Sequence, residues 1–257
     1  MNIWLVSPAW SRFTVTRLAL AERRWLCDEL ASRGHQANSV IVADDDNLDI
    51  AAEYGFHTVE LDNTDLGAKF NAGYRYAARQ DADLFVHVGS DDWIHPDTFG
   101  VIDKMDLEFA DDMEPDDGGT IVWTPGPILI AQRRLLIVDL NRQAARRCQV
   151  KNRWGCIPWL IPRAALQPRG FAPIPKGLKR GIDGALAHGL GHKLNWVWQD
   201  AQHAWCVDWK TEMNLTPYIG LSHSLGDGDE QEAWPILSEF YPDALVEAAK
   251  QTAAAHA

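Results

Sequence analysis

Over the first hundred residues, short apolar runs alternate with longer amphipathic stretches, and each apolar run stops at a turn former or an acid. Ile3 to Val6 reads as a buried strand ending in Ser7-Pro8. A helix follows from about Thr14 to Arg33, with Val15, Leu18, Ala19, Trp25, Leu26 and Leu30 mostly on one face and Gly34 as its stop. Ser39 to Ala43 is a second strand closed by Asp44-Asp45-Asp46, residues 48–55 a short helix, and Thr58 to Leu61 a third strand. Asp65 to Arg79 is a further helix, and Leu84 to Val88 a fourth strand running into Gly89-Ser90-Asp91-Asp92. This β-α-β-α-β-α-β order predicts an α/β fold, a Rossmann-type three-layer sandwich around a mostly parallel sheet. Ligands of such sheets bind beyond the carboxyl ends of the strands, where this chain places Ser7-Pro8, Asp44-Asp45 and Asp91-Asp92.

The alternation weakens after the acidic, turn-rich stretch 103–119. Thr120 to Trp123 and Ile128 to Ala131 read as strands, Arg133 to Arg147 as a basic helix, Gly181 to Gly189 as a short helix and Leu194 to Trp198 as a strand. With 257 residues, 46% hydrophobic and 23% charged, the chain has globular composition, which excludes disorder, collagen and coiled coil. The longest apolar stretch, Thr120 to Ala131, is about half the roughly 20 residues a membrane span needs. Met1 to Trp10 lacks a basic start and breaks at Pro8, unlike a secretory leader, so a soluble cytoplasmic protein is expected. The four cysteines form no C-x-x-C pair, which argues for reduced thiols. Tryptophan is abundant, 12 residues, and some of these rings are candidates for stacking in a site.

Charge is unevenly spread. Residues 1–130 carry 9 Lys and Arg against 24 Asp and Glu, residues 131–180 carry 12 against 1, and residues 181–257 carry 3 against 11. The middle segment is either a solvated cationic face or a surface for an anionic partner.

Two adjacent carboxylates at a strand end, Asp91 and Asp92, repel one another unless a cation lies between them. A divalent ion bridging a diphosphate serves that role, and oxygen-only ligation suits Mg²⁺ or Mn²⁺ rather than zinc. The same pair before a proline also serves as a turn or helix cap.

Four segments in order resemble the GT-A nucleotide-sugar glycosyltransferase family, of the family 2 type that includes phage enzymes. They are WLVSPAWSR at 4–12, VIVADDD at 40–46, LGAKFNAGYRYAA at 66–78 and VGSDDWIHPDTF at 88–99. The resemblance implies that Ser7, Pro8 and Asp44 contact the nucleoside, that Lys69 approaches the diphosphate beside Asn71, and that Asp91 lies near the ribose and metal. It makes Asp92 the better ligand for Mn²⁺ or Mg²⁺. The family often has an Asp where this chain has Gly89, and its basic residue commonly directly precedes the Asn, where this chain has Phe70.

A looser resemblance runs through WGCIPWLIPRAAL at 154–166 and GFAPIPKGLKRGIDGALAHGL at 170–190, the acceptor side, including Trp154. It implies that Asp183 is the base of an inverting transfer, although Asp183 also reads as the cap of the helix it opens. Arg180 either holds the leaving diphosphate or belongs to the basic face, and His223 either joins the metal or is an ordinary packed histidine.

The expectation is a single GT-A-like catalytic domain over residues 1–225, with a donor half at 1–100, an acceptor half at 120–225, and a helical tail at 226–257. It would move a sugar from a nucleoside diphosphate sugar, a UDP-sugar first among them, to a hydroxyl acceptor. The cationic segment points to a polyanionic acceptor such as a hydroxymethylated base in DNA, with a glycan or lipid-linked hydroxyl as the alternative. A nucleotidyltransferase would carry a glycine-rich loop after its first strand, which SPAWSRF lacks. A non-catalytic nucleotide-sugar-binding protein of the same fold is the other rival.

Overall fold

The computed structural model describes residues 1–104, 128–132, 134–149, 158–179, 181–190, 195–199, 205–211 and 229–256. The elements of the first half match the sequence pattern closely. They are β1 (Asn2–Pro8), α1 (Phe13–Ser32), β2 (Gln36–Ala43), α2 (Asn47–Glu53), β3 (His57–Glu60), α3 (Leu66–Arg79), β4 (Leu84–His87) and the short β5 (Asp92–Trp93). Then follow β6 (Ile128–Gln132), β7 (Arg134–Asp139), β8 (Ala144–Gln149), β9 (Trp159–Pro162), α4 (Arg163–Leu166) and α5 (Ile182–Leu190). The described chain closes with β10 (Asn195–Gln199), β11 (Cys206–Lys210), β12 (Glu230–Glu232), α6 (Ala233–Leu237) and α7 (Asp243–His256).

One sheet has the order β10-β6-β9-β4-β1-β2-β3, and a second has the order β12-β8-β7-β11-β5. In the first, β4, β1, β2 and β3 run parallel, so their carboxyl ends share one edge. β9 runs antiparallel between β4 and β6, and β10 is parallel to β6. The central strands are apolar without alternation because helices and the second layer cover both faces: Ile3, Leu5, Val6, Val40, Ile41, Leu84, Phe85 and Val86 are all fully buried.

The expected basic helix at 133–147 is instead the hairpin β7-β8. Leu135 and Ile137 are buried in one core and Leu136 and Val138 in the other, so both faces of the run are covered, which a strand satisfies and a surface helix would not. Asp139 Oδ1 accepts the backbone N–H groups of Asn141 and Arg142 at 3.1 and 3.0 Å and turns the chain, with Gln143 at φ 53°. The expected strand Thr120–Trp123 lies outside the described residues.

The cationic segment meets the acidic end of the chain. Both terminal nitrogens of Arg142 bond Glu230 (3.1 and 2.7 Å), Arg146 reaches the same carboxylate at 3.4 Å, and Arg147 pairs with Glu239. Arg147 also lies over the rings of Trp205 and Phe240. Arg163 is turned inward, donating to the carbonyls of Ala78 and Ala82. β12 pairs with β8, while α6 and α7 share a second core with Trp93, Leu136, Val138 and Trp209. Among the described residues, no helix is long and apolar enough to cross a membrane.

Candidate functional site

The carboxyl ends of β1, β2 and β4 form the floor of the site. Past β1, Ser11 adopts a left-handed backbone (φ 57°) and donates its N–H to Asp45 Oδ2 at 2.9 Å. A non-glycine residue held this way is strained, and such strain is characteristic of loops that aim side chains. Here the loop leaves Trp10 56% exposed and brings Arg12 Nη1 to 2.7 Å from Asp91 Oδ2. Trp93, by contrast, is fully buried, donates to the Leu18 carbonyl and stacks edge-on with Trp209, so this tryptophan of the motif is a core anchor.

Gly89 leaves room for the two carboxylates that follow it. A Cβ there would stand 2.6 Å from Asp92 Oδ2 and 2.7 Å from Asp91 Oδ1, so both carboxylates fold back over the space a side chain would fill. The Gly89 N–H donates to Asp92 Oδ2 at 2.7 Å, and buried Arg23 from α1 donates to the Gly89 carbonyl.

Across the β5-β11 pairing, Asp92 stands opposite Asp208, and Lys210 Nζ lies 2.6 Å from Asp208 Oδ2. Burial and the neighbouring Asp91 and Asp208 carboxylates hold Asp92 well above the usual carboxylate range, and burial raises Asp208 as well. Burial also opposes the charge on Asp91, but Arg12 and Lys210 outweigh it and hold its pKa below the ordinary value. Sequence reasoning missed Arg12, Asp208 and Lys210. Arg12 sat within a quoted motif, whereas the β5-β11 pairing that delivers the other two spans more than a hundred residues and leaves no local signal.

Two buried carboxylates side by side over a glycine, where burial and mutual repulsion disfavour the charge on Asp92, fit a hard divalent cation. Mg²⁺ and Mn²⁺ are commonly held by one or two carboxylates, the other positions falling to phosphate oxygens and water. Among the described residues, no three His, Cys, Asp or Glu side chains assemble a complete shell.

The other expected residues fall into two groups. Ser7 is buried and donates its hydroxyl to the Val88 carbonyl at 2.9 Å, tying β1 to the loop after β4, and Pro8 closes β1 beside it. Asp44 accepts the Asn63 N–H at 2.8 Å and lies 3.6 Å from Lys69 Nζ. Lys69 is fully buried and also donates to the Ala9 carbonyl at 3.1 Å, which puts it under the ends of β1 and β2. Burial lowers its pKa, against the pull of Asp44 and Asp45.

Asn71 binds the backbone of Ile174 through both halves of its amide, at 2.7 and 3.2 Å. Asp65, which caps α3 through Ala68 N, also accepts the Gly177 N–H. Together they strap the segment before α5 across α3. That strap places Asp183, in the first turn of α5, with Oδ1 3.5 Å from His87 Nε2 at the end of β4. Trp154, Arg180 and His223 lie outside the described residues.

α5 docks closely on the strap: a Cβ at Gly189 would fall 1.7 Å from the Pro173 carbonyl oxygen. Gly189→Ala is expected to cost about 1–3 kcal/mol by overpacking, read as a lower melting temperature.

Beneath the site, Glu22 of α1 accepts the Ile94 N–H at 2.9 Å, and burial pushes its carboxyl up to about 8. The folded protein therefore holds a proton there that the unfolded chain, with an ordinary value of 4.5, releases. The resulting stability is complete below about pH 4.5 and is lost as pH rises through about 8. Thermal melts should show the wild type losing more stability than Glu22→Gln between pH 5 and 8; parallel losses would contradict this.

The sequence matches no family model and no curated protein. The fold does have solved counterparts. The S. aureus TarS 1–349 structure in complex with UDP-GlcNAc matches at a TM-score of 0.54 and 13% identity, covering 83% of this chain and 60% of that one. TarS 1–349 in complex with UDP matches at 0.51 and 14%, covering 82% and 61%. An inositol-1-phosphate CTP transferase from T. maritima is similar at 0.42 and 9%, covering 98% and 95%. This chain thus spans about 60% of the length of the TarS chains it matches. At these identities the likeness is one of fold: the protein has the mixed α/β, GT-A-like architecture found in TarS.

Proposed function

We propose that this protein is a divalent-cation-dependent glycosyltransferase that takes a nucleoside diphosphate sugar, in the first instance a UDP-sugar, and passes the sugar to a hydroxyl with inversion. One observation carries the reading. The end of β4 bears both halves of the chemistry, the Asp91-Asp92 carboxylates just past it and the Asp183 carboxylate against its last residue, His87. The UDP-GlcNAc and UDP carried by the TarS structures support the choice of donor.

In this reading the nucleoside lies over Pro8 and Asp44, with the exposed Trp10 ring available to its base. Lys69 acts through Asp44, and Arg12 and Lys210 are the cations beside Asp91. Asp91 and Asp92 would hold Mn²⁺ or Mg²⁺, which when bound supplies positive charge to the departing diphosphate. Asp183, 40% exposed at its side chain, takes the proton of the attacking hydroxyl. Attack on the anomeric carbon comes from the face opposite the leaving group, so configuration inverts.

The acceptor is a hydroxyl whose carrier need not be polyanionic. Arg142, Arg146 and Arg147 of the cationic segment pair with Glu230 and Glu239, so part of the charge that favoured DNA is met within the chain. Retention on DNA at low ionic strength would restore that acceptor.

The test is release of UDP from UDP-GlcNAc and UDP-glucose with Mn²⁺, water serving as the smallest hydroxyl acceptor. The reading requires cation-dependent release, and the absence of release from either donor contradicts it.

A further inference from the structure

The end of β4 holds two buried polar groups, Tyr74 and His87, to which the transferase reading assigns no step. Tyr74 of α3, fully buried, has its hydroxyl 2.5 Å from His87 Nδ1. The His87 ring is 7% exposed at its side chain and stacks on Phe70 with centroids 3.8 Å apart. Its other nitrogen, Nε2, faces Asp183 Oδ1 at 3.5 Å. The stacking and the phenol fix the imidazole plane, so this ring meets the carboxylate in one orientation.

The proton inventory of the chain follows from burial. A phenol has one proton, and a buried O–H left without an acceptor costs about 1–3 kcal/mol. The Tyr74 phenol remains protonated, because burial, with the Asp183 charge second, pushes its pKa well above the ordinary value. It therefore donates to Nδ1. With Nδ1 accepting from the phenol, the proton of the imidazole sits on Nε2, the nitrogen that faces Asp183 Oδ1 at 3.5 Å.

We propose that His87, locked in the Nε2–H tautomer by Tyr74, is a positioning residue that fixes the Asp183 carboxylate in the orientation from which it accepts the proton of the attacking hydroxyl. This rests on the transferase reading above and adds to it the second group on which the base depends. In the step concerned, the hydroxyl oxygen bonds to the anomeric carbon and the bond from that carbon to the diphosphate oxygen breaks, its electron pair leaving with UDP. The hydroxyl proton goes to Asp183, and His87 keeps its own throughout. Holding a base in reach of its proton is worth a large share of general-base catalysis, which amounts to about 10²–10⁴-fold.

Two measurements on the full chain test this. In ¹⁵N-histidine NMR of the wild type, the His87 resonances, assigned by their loss in His87→Gln, should report bare Nδ1 and protonated Nε2; the opposite tautomer overturns the proposal. In UDP release from UDP-GlcNAc with Mn²⁺, Tyr74→Phe should lower kcat about tenfold with the donor KM unchanged. His87→Gln, whose amide nitrogen replaces Nε2, should retain more rate than His87→Asn, which does not reach. Thermal stabilisation by UDP with Mn²⁺ serves as the check that each variant is folded.

Wild-type kcat in Tyr74→Phe, or equal losses in the Gln and Asn variants, overturns the proposal while leaving the transferase reading intact. A wild type that releases no UDP, or an Asp183→Asn variant that turns over normally, removes both.

Discussion

Asp183→Asn should lower UDP release from a UDP-sugar by about 10²–10⁴-fold, the range for loss of a general base. Asn keeps the shape of Asp183 and leaves the Asn71 and Asp65 contacts of the strap untouched, so α5 is expected to keep its place. Donor binding is therefore expected to stay at the wild-type level, and the loss should fall on kcat. A helix cap would give a different result: replacing Asp by Asn at a cap leaves turnover intact and changes stability by tenths of a kcal/mol. Steady-state kinetics on the two proteins side by side distinguish the roles, and a variant with normal kcat would leave Asp183 as a first-turn acid that complements the helix dipole.

Asp92→Asn should move stability and activity in opposite directions. In the wild type, Asp92 is 3% exposed, and burial together with Asp91 and Asp208 disfavours its charge. An Asn of the same shape accepts the Gly89 N–H and removes the repulsion, so the melting temperature without cation should stay level or rise. Turnover should fall by about 10²-fold or more, as expected when a group that stabilises transition-state charge is lost. This pattern marks a site where stability is given up for function. A structural Asp92 would do the reverse, melting lower with activity retained per folded molecule.

The sequence was most informative where local pattern and tertiary structure agree. The strands up to β4 are apolar runs closed by polar residues, and the helices between them have single apolar faces. Their carboxyl ends then followed from parallel order, which is why the strand-end positions of Asp44 and Asp91 could be read directly. Asn71 and Lys69 were legible as special positions, but their tasks were not: Asn71 spends its amide on Ile174, and Lys69 lies under Asp44. Both tasks depend on contacts across the fold, and spacing carries no record of them.

The second half was harder for the same reason. Arg133 to Arg147 reads as a basic helix only if charge is weighed above the apolar run Leu135–Val138, and burial on both faces decides for strands. The charge asymmetry suggested an anionic partner outside the molecule, and part of that charge meets the chain's own acidic end, through Glu230 and Glu239. His87 had no motif to announce it. It gains meaning from Tyr74 thirteen residues earlier and Asp183 on a helix brought over by the strap.

The account depends above all on Asp91 and Asp92 joining a divalent cation to a diphosphate. Thermal melting of the wild type with UDP, in the presence and absence of Mn²⁺, tests this most directly, since a ligand that binds only the folded state raises apparent stability by mass action. A marked upward shift with UDP and Mn²⁺ together, well beyond the effect of either alone, is the predicted result. A melting temperature unchanged by the pair would contradict it.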